Sequence, residues 1–425
     1  MSVTIVAGGQ WGDEGKGKVV DHFAGRSDLV IRCQGGPNAG HTVINDLGKF
    51  VLHTVPSGIF NPEATCIVGA GTVVNPALLM GELQGLIEAG INITKLVISE
   101  RAHVIMPYHQ LTDQLDEERL GSKRIGSTRH GIAWAYADKA ARRGFLAGEL
   151  KNMAALRQRL IEELPWRNQI LSMYGHQPLG IEDIMAAIEP AADFLRVFIG
   201  DTVQIVQAAI SAGDEIMLEG QLGAMRDIDW GAYPFVTSSN PTPAGLCSGA
   251  GISPVHVKEV VGVVKAYTSA VGEGPFPTEL TGSEGDVLRE QGGEYGATTG
   301  RPRRCGWFDA VAVKWASQVA GFTSLALTKI DVLDGRDEIP ICVGYELDGQ
   351  PLGSFPLTEP MGRVIPVYKM LPGWDQPTLG ARTMGDLPKN ACDYIDELER
   401  LAGVPITLVS VGPERDATID RLPEI

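Results

Sequence analysis

The stretch "VTIVAGGQWGDEGKGK", Val3 to Lys18, decides how the chain is read. The apolar, β-branched run Val3–Ala7 has the composition of a buried strand, and it empties into a loop with five glycines, two lysines and two carboxylates. A strand, a glycine-rich loop and a helix in that order suit phosphate, because backbone N–H groups at the helix start can hold an anion. The spacing is not that of the usual phosphate loop, G-x-x-x-x-G-K-[ST]. Five residues separate Gly9 from Gly15, and Lys16 is followed by Gly17, so the hydroxyl that normally reaches magnesium is missing. Asp13 could supply that ligand instead.

Outward from this loop, short apolar runs alternate with helical stretches. Strands are expected at Thr4–Ala7, Leu29–Arg32, Cys66–Val68, Leu96–Ile98, Glu215–Leu218, Ser324–Thr328, Ile341–Tyr345 and Ile406–Ser410. Helices are expected at Pro76–Glu88, Pro107–Arg119, Ile181–Ala212, Pro254–Val264, Phe308–Val319 and Asn390–Leu401. The polar segment Glu149–Arg167 also keeps helical spacing. The alternation predicts an α/β fold, one large domain over residues 1–425 with a mostly parallel central sheet covered on both faces. Sites in such folds gather at the carboxyl ends of the strands. Glycines cluster there too, at Gly8–Gly17, Gly35–Gly40, Gly245–Gly251 and Gly272–Gly274.

Bulk properties exclude several classes. The 425 residues are 44% hydrophobic and 21% charged, values of a globular chain with an ample core. No run nears the roughly 18 to 20 apolar residues of a membrane span, and Met1–Thr4 lacks the features of a signal peptide, so the expected location is the cytoplasm. Six scattered cysteines without C-x-x-C spacing argue against a zinc site or a disulfide framework. A net charge of −16 repels polyanions, which counts against nucleic acid as a partner. A small anion remains admissible where cations are concentrated.

Four further stretches concentrate such groups. "QGGPNAGHT", Gln34 to Thr42, closes a glycine loop on His41, a candidate general acid. "IGSTRHGIAWAYADKAARRG", Ile125 to Gly144, offers Ser127, Thr128, Arg129 and His130 to a phosphate; Arg142 and Arg143 serve either a ligand or the helix end. "GATTGRPRRCGW", Gly296 to Trp307, places two threonines and three arginines between glycines, a set suited to carboxylates. "LALTKIDVLDG", Leu325 to Gly335, ends a strand in Thr328-Lys329-Ile330-Asp331. That element looks like the T/N-K-x-D reader of guanine, in which the carboxylate accepts from the base and the lysine stem covers the ring.

Together with "DIDWGAYPFVTSSN" (Asp227–Asn240) and "GPFPTEL" (Gly274–Leu280), these stretches resemble the adenylosuccinate synthetase family in its own order, from about Val3 to Arg415. The resemblance implies a P-loop-NTPase-like fold, and a homodimer that joins IMP to L-aspartate using GTP and Mg²⁺ through a 6-phosphoryl intermediate. It implies Asp13 as base and metal ligand, His41 as donor to the transferred phosphate, and the Gly40 carbonyl as a second metal ligand. Gly12, Asp13, Glu14, Gly15, Lys16, Gly17 and Lys18, with Gly40, His41 and Thr42, would hold the phosphates. Lys329, Asp331, Ser410, Gly412 and Pro413 would frame guanine. Asn38, Thr128, Thr237 and Val271 would contact the acceptor nucleotide, and Arg142 would reach its phosphate from the partner subunit. Thr299, Arg301 and Arg303 would bind aspartate, with Thr298 beside them on the substrate side.

The chain departs from the family pattern around the acceptor. Gln221-Leu222 stands where the family has Ala-Gln, Arg129-His130 where it has Gly-Arg, and "GIAWAY" where it has "GIGPAY"; Pro302 replaces an arginine of some members. Leu222 therefore takes the substrate position of an amide. Two other readings follow: a paralogue that ligates aspartate to dGMP or GMP, and a regulatory GTP-binding switch. The switch leaves His41 and Arg301–Arg304 without a role.

Overall fold

In the computed structural model, residues 2–296 and 300–421 are described, and Thr298 and Thr299 fall outside them. Ten strands build the central sheet: β1 (Ser2–Gly8), β2 (Leu29–Arg32), β3 (Thr65–Val68), β4 (Leu96–Ser99), β5 (Ile199–Gly200), β6 (Glu215–Gly223), β7 (Val257–Lys265), β8 (Ser324–Thr328), β9 (Ile406–Ser410) and β10 (Thr418–Asp420). Their order is β10-β9-β8-β7-β1-β6-β2-β3-β4-β5. Every neighbouring pair is parallel except β9 with β10. The expected fold class is the one observed.

Period-two alternation explains why the strands read as unbroken apolar runs. On β1, Val3, Ile5 and Ala7 join the core on one face, and Val6 joins the core on the other. On β2, Leu29 and Ile31 go one way and Val30 the other. Each fully buried Val, Leu or Ile among them contributes about 1.5–3 kcal/mol. β1 lies between β6 and β7, so the chain leaves β1 toward one side of the sheet and returns to its other side. That reversal places a crevice at the carboxyl end of β1, where the glycine loop begins.

Two expected helices are corrected. Pro254–Val264 is a short 3₁₀ turn, Pro254–His256, followed by β7. Its Val-Val-Gly-Val-Val centre is wholly buried, and the β-branched run prefers a pleated position between two strands over a helix. Ile181–Ala212 is two helices, Ile181–Leu195 and Thr202–Ala212, with β5 between them. The second starts where the Asp201 carboxylate accepts from Val203 N at 3.0 Å, a cap that resets the chain after Gly200. Ile341–Tyr345 is part of Glu338–Leu347, which pairs with Ile365–Pro372 in a separate four-stranded sheet. The remaining helices fall within two or three residues of expectation, and the polar segment forms Met153–Met173. No helix among the described residues is long and apolar enough to cross a membrane.

Candidate active site

The loop after β1 turns through Gly12 (φ 99°), Asp13 (φ 60°) and Gly15 (φ 92°) before helix α1, Lys16–Ala24, begins. These left-handed positions need glycine, or an aspartate that tolerates them. The turns send the two carboxylates in different directions. Glu14 is fully buried and accepts from Gln10 N at 3.1 Å and Gly12 N at 2.8 Å, with Lys16 Nζ against it. It holds the loop in shape. Asp13 faces a cavity of about 420 Å³ at the sheet's carboxyl edge.

That cavity gathers residues from distant parts of the chain. Asn38, Gly40 and Thr128 line it, as do Leu222, Thr237 and Val271. Six of the expected acceptor-side and metal positions therefore meet around Asp13. Trp11 and Trp134, not anticipated, form apolar parts of the wall. Arg142 does not reach it: it is exposed, at φ 62°, as the C-cap of Ile132–Ala141. Arg301 is exposed as well.

His41 begins the hairpin strand His41–Asn45, and Gly17 lets α1 pack against it, since a Cβ there would lie 2.9 Å from the His41 Cβ. Thr42 follows on the same strand, its carbonyl 3.0 Å from that Cβ position. The His41 Nδ1 lies 2.5 Å from Glu219 Oε1. Glu219 also accepts from Ser57 N at 2.7 Å and Ser57 Oγ at 2.8 Å. Burial pushes the Glu219 carboxyl up, but His41, Arg32 and Ser57 outweigh it and hold it below the usual range. Burial and the Arg32 guanidinium push His41 down. The imidazole is thus neutral above its lowered pKa, with its one N–H on Nδ1 toward the carboxylate and Nε2 left for a ligand.

The element Thr328–Asp331, expected to read guanine, lies at the end of β8. Thr328 Oγ1 donates to the Glu14 carbonyl at 2.5 Å, which joins this element to the phosphate loop. Lys329 sits at φ 61°, and Asp331 is half-buried, its carboxyl pushed up by burial. The Lys18 side chain turns away from the phosphate loop. Its ammonium donates to Ser410 Oγ at 2.6 Å, Gly412 O at 2.7 Å and Ala417 O at 2.8 Å, so the side chain ties α1 to the loop after β9 and only its backbone stays with the phosphate loop. Burial brings its pKa down to about 8. Ser410 and Gly412 are buried in that loop, whereas Pro413 is exposed.

A buried charge cluster runs from Lys329 to Asp13. Glu294 lies 2.6 Å from Lys265 Nζ, 2.8 Å from Arg303 Nη1 and 3.8 Å from Lys329 Nζ, with Tyr267 donating to it. Burial pushes its carboxyl up, yet the three cations hold it far below the usual range. Arg303 reaches on from Glu294 to Asp13, Nε to Oδ2 at 2.9 Å. Neither Glu219, Glu294 nor Lys265 was anticipated. For two of them the signal was a charged residue in an otherwise apolar strand: Lys265 ends β7, and Glu219 stands inside β6. Glu294 follows the helix Ser283–Gly292 and carried no such signal.

The residues present suit Mg²⁺. Asp13 and Gly40 line one cavity and between them offer one carboxylate and a backbone carbonyl. Mg²⁺ is bound through one or two carboxylates together with substrate phosphates, not by an all-protein cage.

Residues 5–419 match the family model described as adenylosuccinate synthetase. The chain belongs to the adenylosuccinate synthetase family. It is 48% identical over 423 residues to the adenylosuccinate synthetase of Moorella thermoacetica, covering 99% of each chain. Its fold is similar to the fully ligated adenylosuccinate synthetase of Plasmodium falciparum, with a TM-score of 0.94 and 35% identity over 99% of this chain and 100% of that one. A cyanophage S-2L succinoaminodeoxyadenylate synthetase bound to dGMP and dATP shares the fold at a TM-score of 0.64 and 21% identity, over 99% of this chain and 96% of that one.

Proposed function

We propose that this adenylosuccinate synthetase family member joins L-aspartate to C6 of IMP at the expense of GTP, giving adenylosuccinate, GDP and phosphate. Asp13 takes the proton from N1 of the hypoxanthine. O6 then attacks the γ-phosphorus, and GDP leaves. The aspartate amine adds to C6, and phosphate departs with the oxygen. The observation that carries this reading is the division between two adjacent carboxylates: Glu14 is consumed in bracing the loop, while Asp13 faces the acceptor cavity. In a GTP switch Asp13 would have no such task.

His41 holds the transferred phosphate. Donation from Nε2 requires the imidazolium, which an arriving phosphate and the ionised Glu219 both favour. Asp13 and the Gly40 carbonyl would hold Mg²⁺, which when bound neutralises phosphate charge. Lys16 and the backbone of Gly12–Lys18 contact the phosphates, with Thr42 beside them, while Lys329, Asp331, Ser410, Gly412 and Pro413 surround guanine. Asn38, Thr128, Thr237, Val271 and Leu222 contact the acceptor. Thr298, Thr299, Arg301 and Arg303 receive aspartate, which competes with Asp13 for Arg303. Arg142, exposed at its helix end, serves the site of the second subunit of a homodimer.

The test is release of phosphate from GTP by the purified protein. It is expected only when IMP and aspartate are both supplied. Hydrolysis of GTP alone would favour the switch, and a higher kcat/KM with dGMP or GMP than with IMP would favour the paralogue.

A further inference from the structure

The segment that follows Glu219 carries the chain's own departure from its family, Gln221-Leu222. The Gln221 side chain is fully buried, and each of its polar atoms is accounted for. Oε1 accepts from Gly36 N at 2.9 Å, and Nε2 donates to Gly36 O at 3.1 Å. A backbone N–H can only donate and a carbonyl can only accept, so these two bonds fix which end of the amide is which. The remaining Nε2 hydrogen goes to Asn38 Oδ1 at 2.7 Å. The Gln34 side chain clamps the Gln221 backbone, accepting from Gln221 N at 2.9 Å and donating to its carbonyl at 3.3 Å. The fit leaves no slack: a Cβ on Gly35 would meet Gln221 Oε1 at 1.7 Å.

A polarity follows for Asn38, which lines the acceptor cavity. With its oxygen turned to Gln221, the Nδ2 group is the end left toward a ligand, so Asn38 presents donors to the acceptor nucleotide. Leu222, next along the chain, sits at φ 62° and lines the same cavity with a side chain that makes no hydrogen bond. A left-handed conformation is strained for a branched, bulky residue. The amide of this segment thus lies beneath the cavity floor, and an apolar surface faces the ligand.

We propose that Gln221 is a positioning residue for the acceptor nucleotide: it locks the Asn38 amide with its donors toward the cavity and so selects for an acceptor atom on the ligand at that point. The inference rests on the reading that Asn38 touches the acceptor nucleotide. The pair Gln34–Gln221 carries the lock from one strand end, β2, to the neighbouring one, β6.

A double-mutant cycle with steady-state kinetics on the full-length protein tests it. Gln221→Glu keeps the acceptor for Gly36 N but removes the donor to Asn38, which frees that amide to turn over. It is expected to raise KM for IMP about tenfold, the equivalent of one hydrogen bond, with KM for GTP changed less than about twofold. Asn38→Ala is expected to raise KM for IMP similarly, and the double variant should lie within about twofold of Asn38→Ala alone. Gln221→Met, which has the shape without the hydrogen bonds, should behave like Gln221→Glu; its circular dichroism and thermal midpoint guard against misfolding. If Asn38→Ala leaves KM for IMP unchanged, the underlying reading of Asn38 fails. If Asn38→Ala raises KM but the Gln221 effect adds to it in full, or falls equally on GTP, the positioning role is overturned.

Discussion

The two halves of the cleft are built differently. The GTP half is braced from within by short contacts: the buried bonds of Thr328 to the Glu14 carbonyl and of Lys18 to three partners, and the half-buried pair Arg415–Asp21 with both contacts at 2.6 Å. Its parts are contiguous motifs at the ends of strands on one side of the sheet. The acceptor half is made of segments from residues 34–42, 125–134, 222–237 and 271–272, and two of their non-glycine residues, Arg129 and Leu222, hold positive φ. A triphosphate and a base demand a fixed cradle. Two substrates that must enter and react demand walls that close around them.

If the halves differ in this way, damage to the reacting group should cost most and damage to the bracing least. Asp13→Ala is expected to lower kcat by at least about a thousandfold while circular dichroism stays unchanged, because a base and a metal ligand are lost together. Glu219→Gln leaves a partner for His41 but removes the charge that supports its imidazolium, so kcat should fall about a hundredfold with little change in KM for GTP. Arg142→Leu should raise KM for IMP, and mixing it with Asp13→Ala should restore about a quarter of wild-type activity through hybrid dimers that contain one intact site. Absence of rescue would assign the acceptor half to a single subunit.

The smallest effect should come from the brace at Lys18. Its folded pKa, about 8, lies below the ordinary 10.5, so its full set of donors is present below about pH 8 and is lost above it. KM for GTP should therefore stay flat up to about pH 8 and then rise a few-fold, and Lys18→Met should raise it at neutral pH and abolish the dependence. Stability runs the other way. Between about pH 8 and 10.5 the unfolded chain holds a proton that the folded chain has released, so this group's contribution rises with pH.

The same contrast governs what could be read in advance. Buried parallel strands announce themselves as apolar runs, and the GTP elements follow them within a few residues, as at Ala7 and Thr328. The acceptor half needs contacts across the chain that local sequence does not encode. Glu219 meets His41 across 178 residues, and Gln221 meets Asn38 across 183. The motif that contains Lys18 says nothing of where its side chain goes, which is to Ser410, 392 residues away. The helix expected over Pro254–Val264 gave way to a strand because its β-branched run is buried between two neighbouring strands.

The most direct test of the account is positional isotope exchange in GTP labelled with ¹⁸O at the β,γ-bridge, incubated with IMP and Mg²⁺ but without aspartate. If Asp13 activates O6 for reversible attack on the γ-phosphorus, the label should move from the bridge into the β non-bridging positions. That movement should require IMP and vanish in Asp13→Asn. Exchange without IMP, or exchange that persists in Asp13→Asn, would contradict the account.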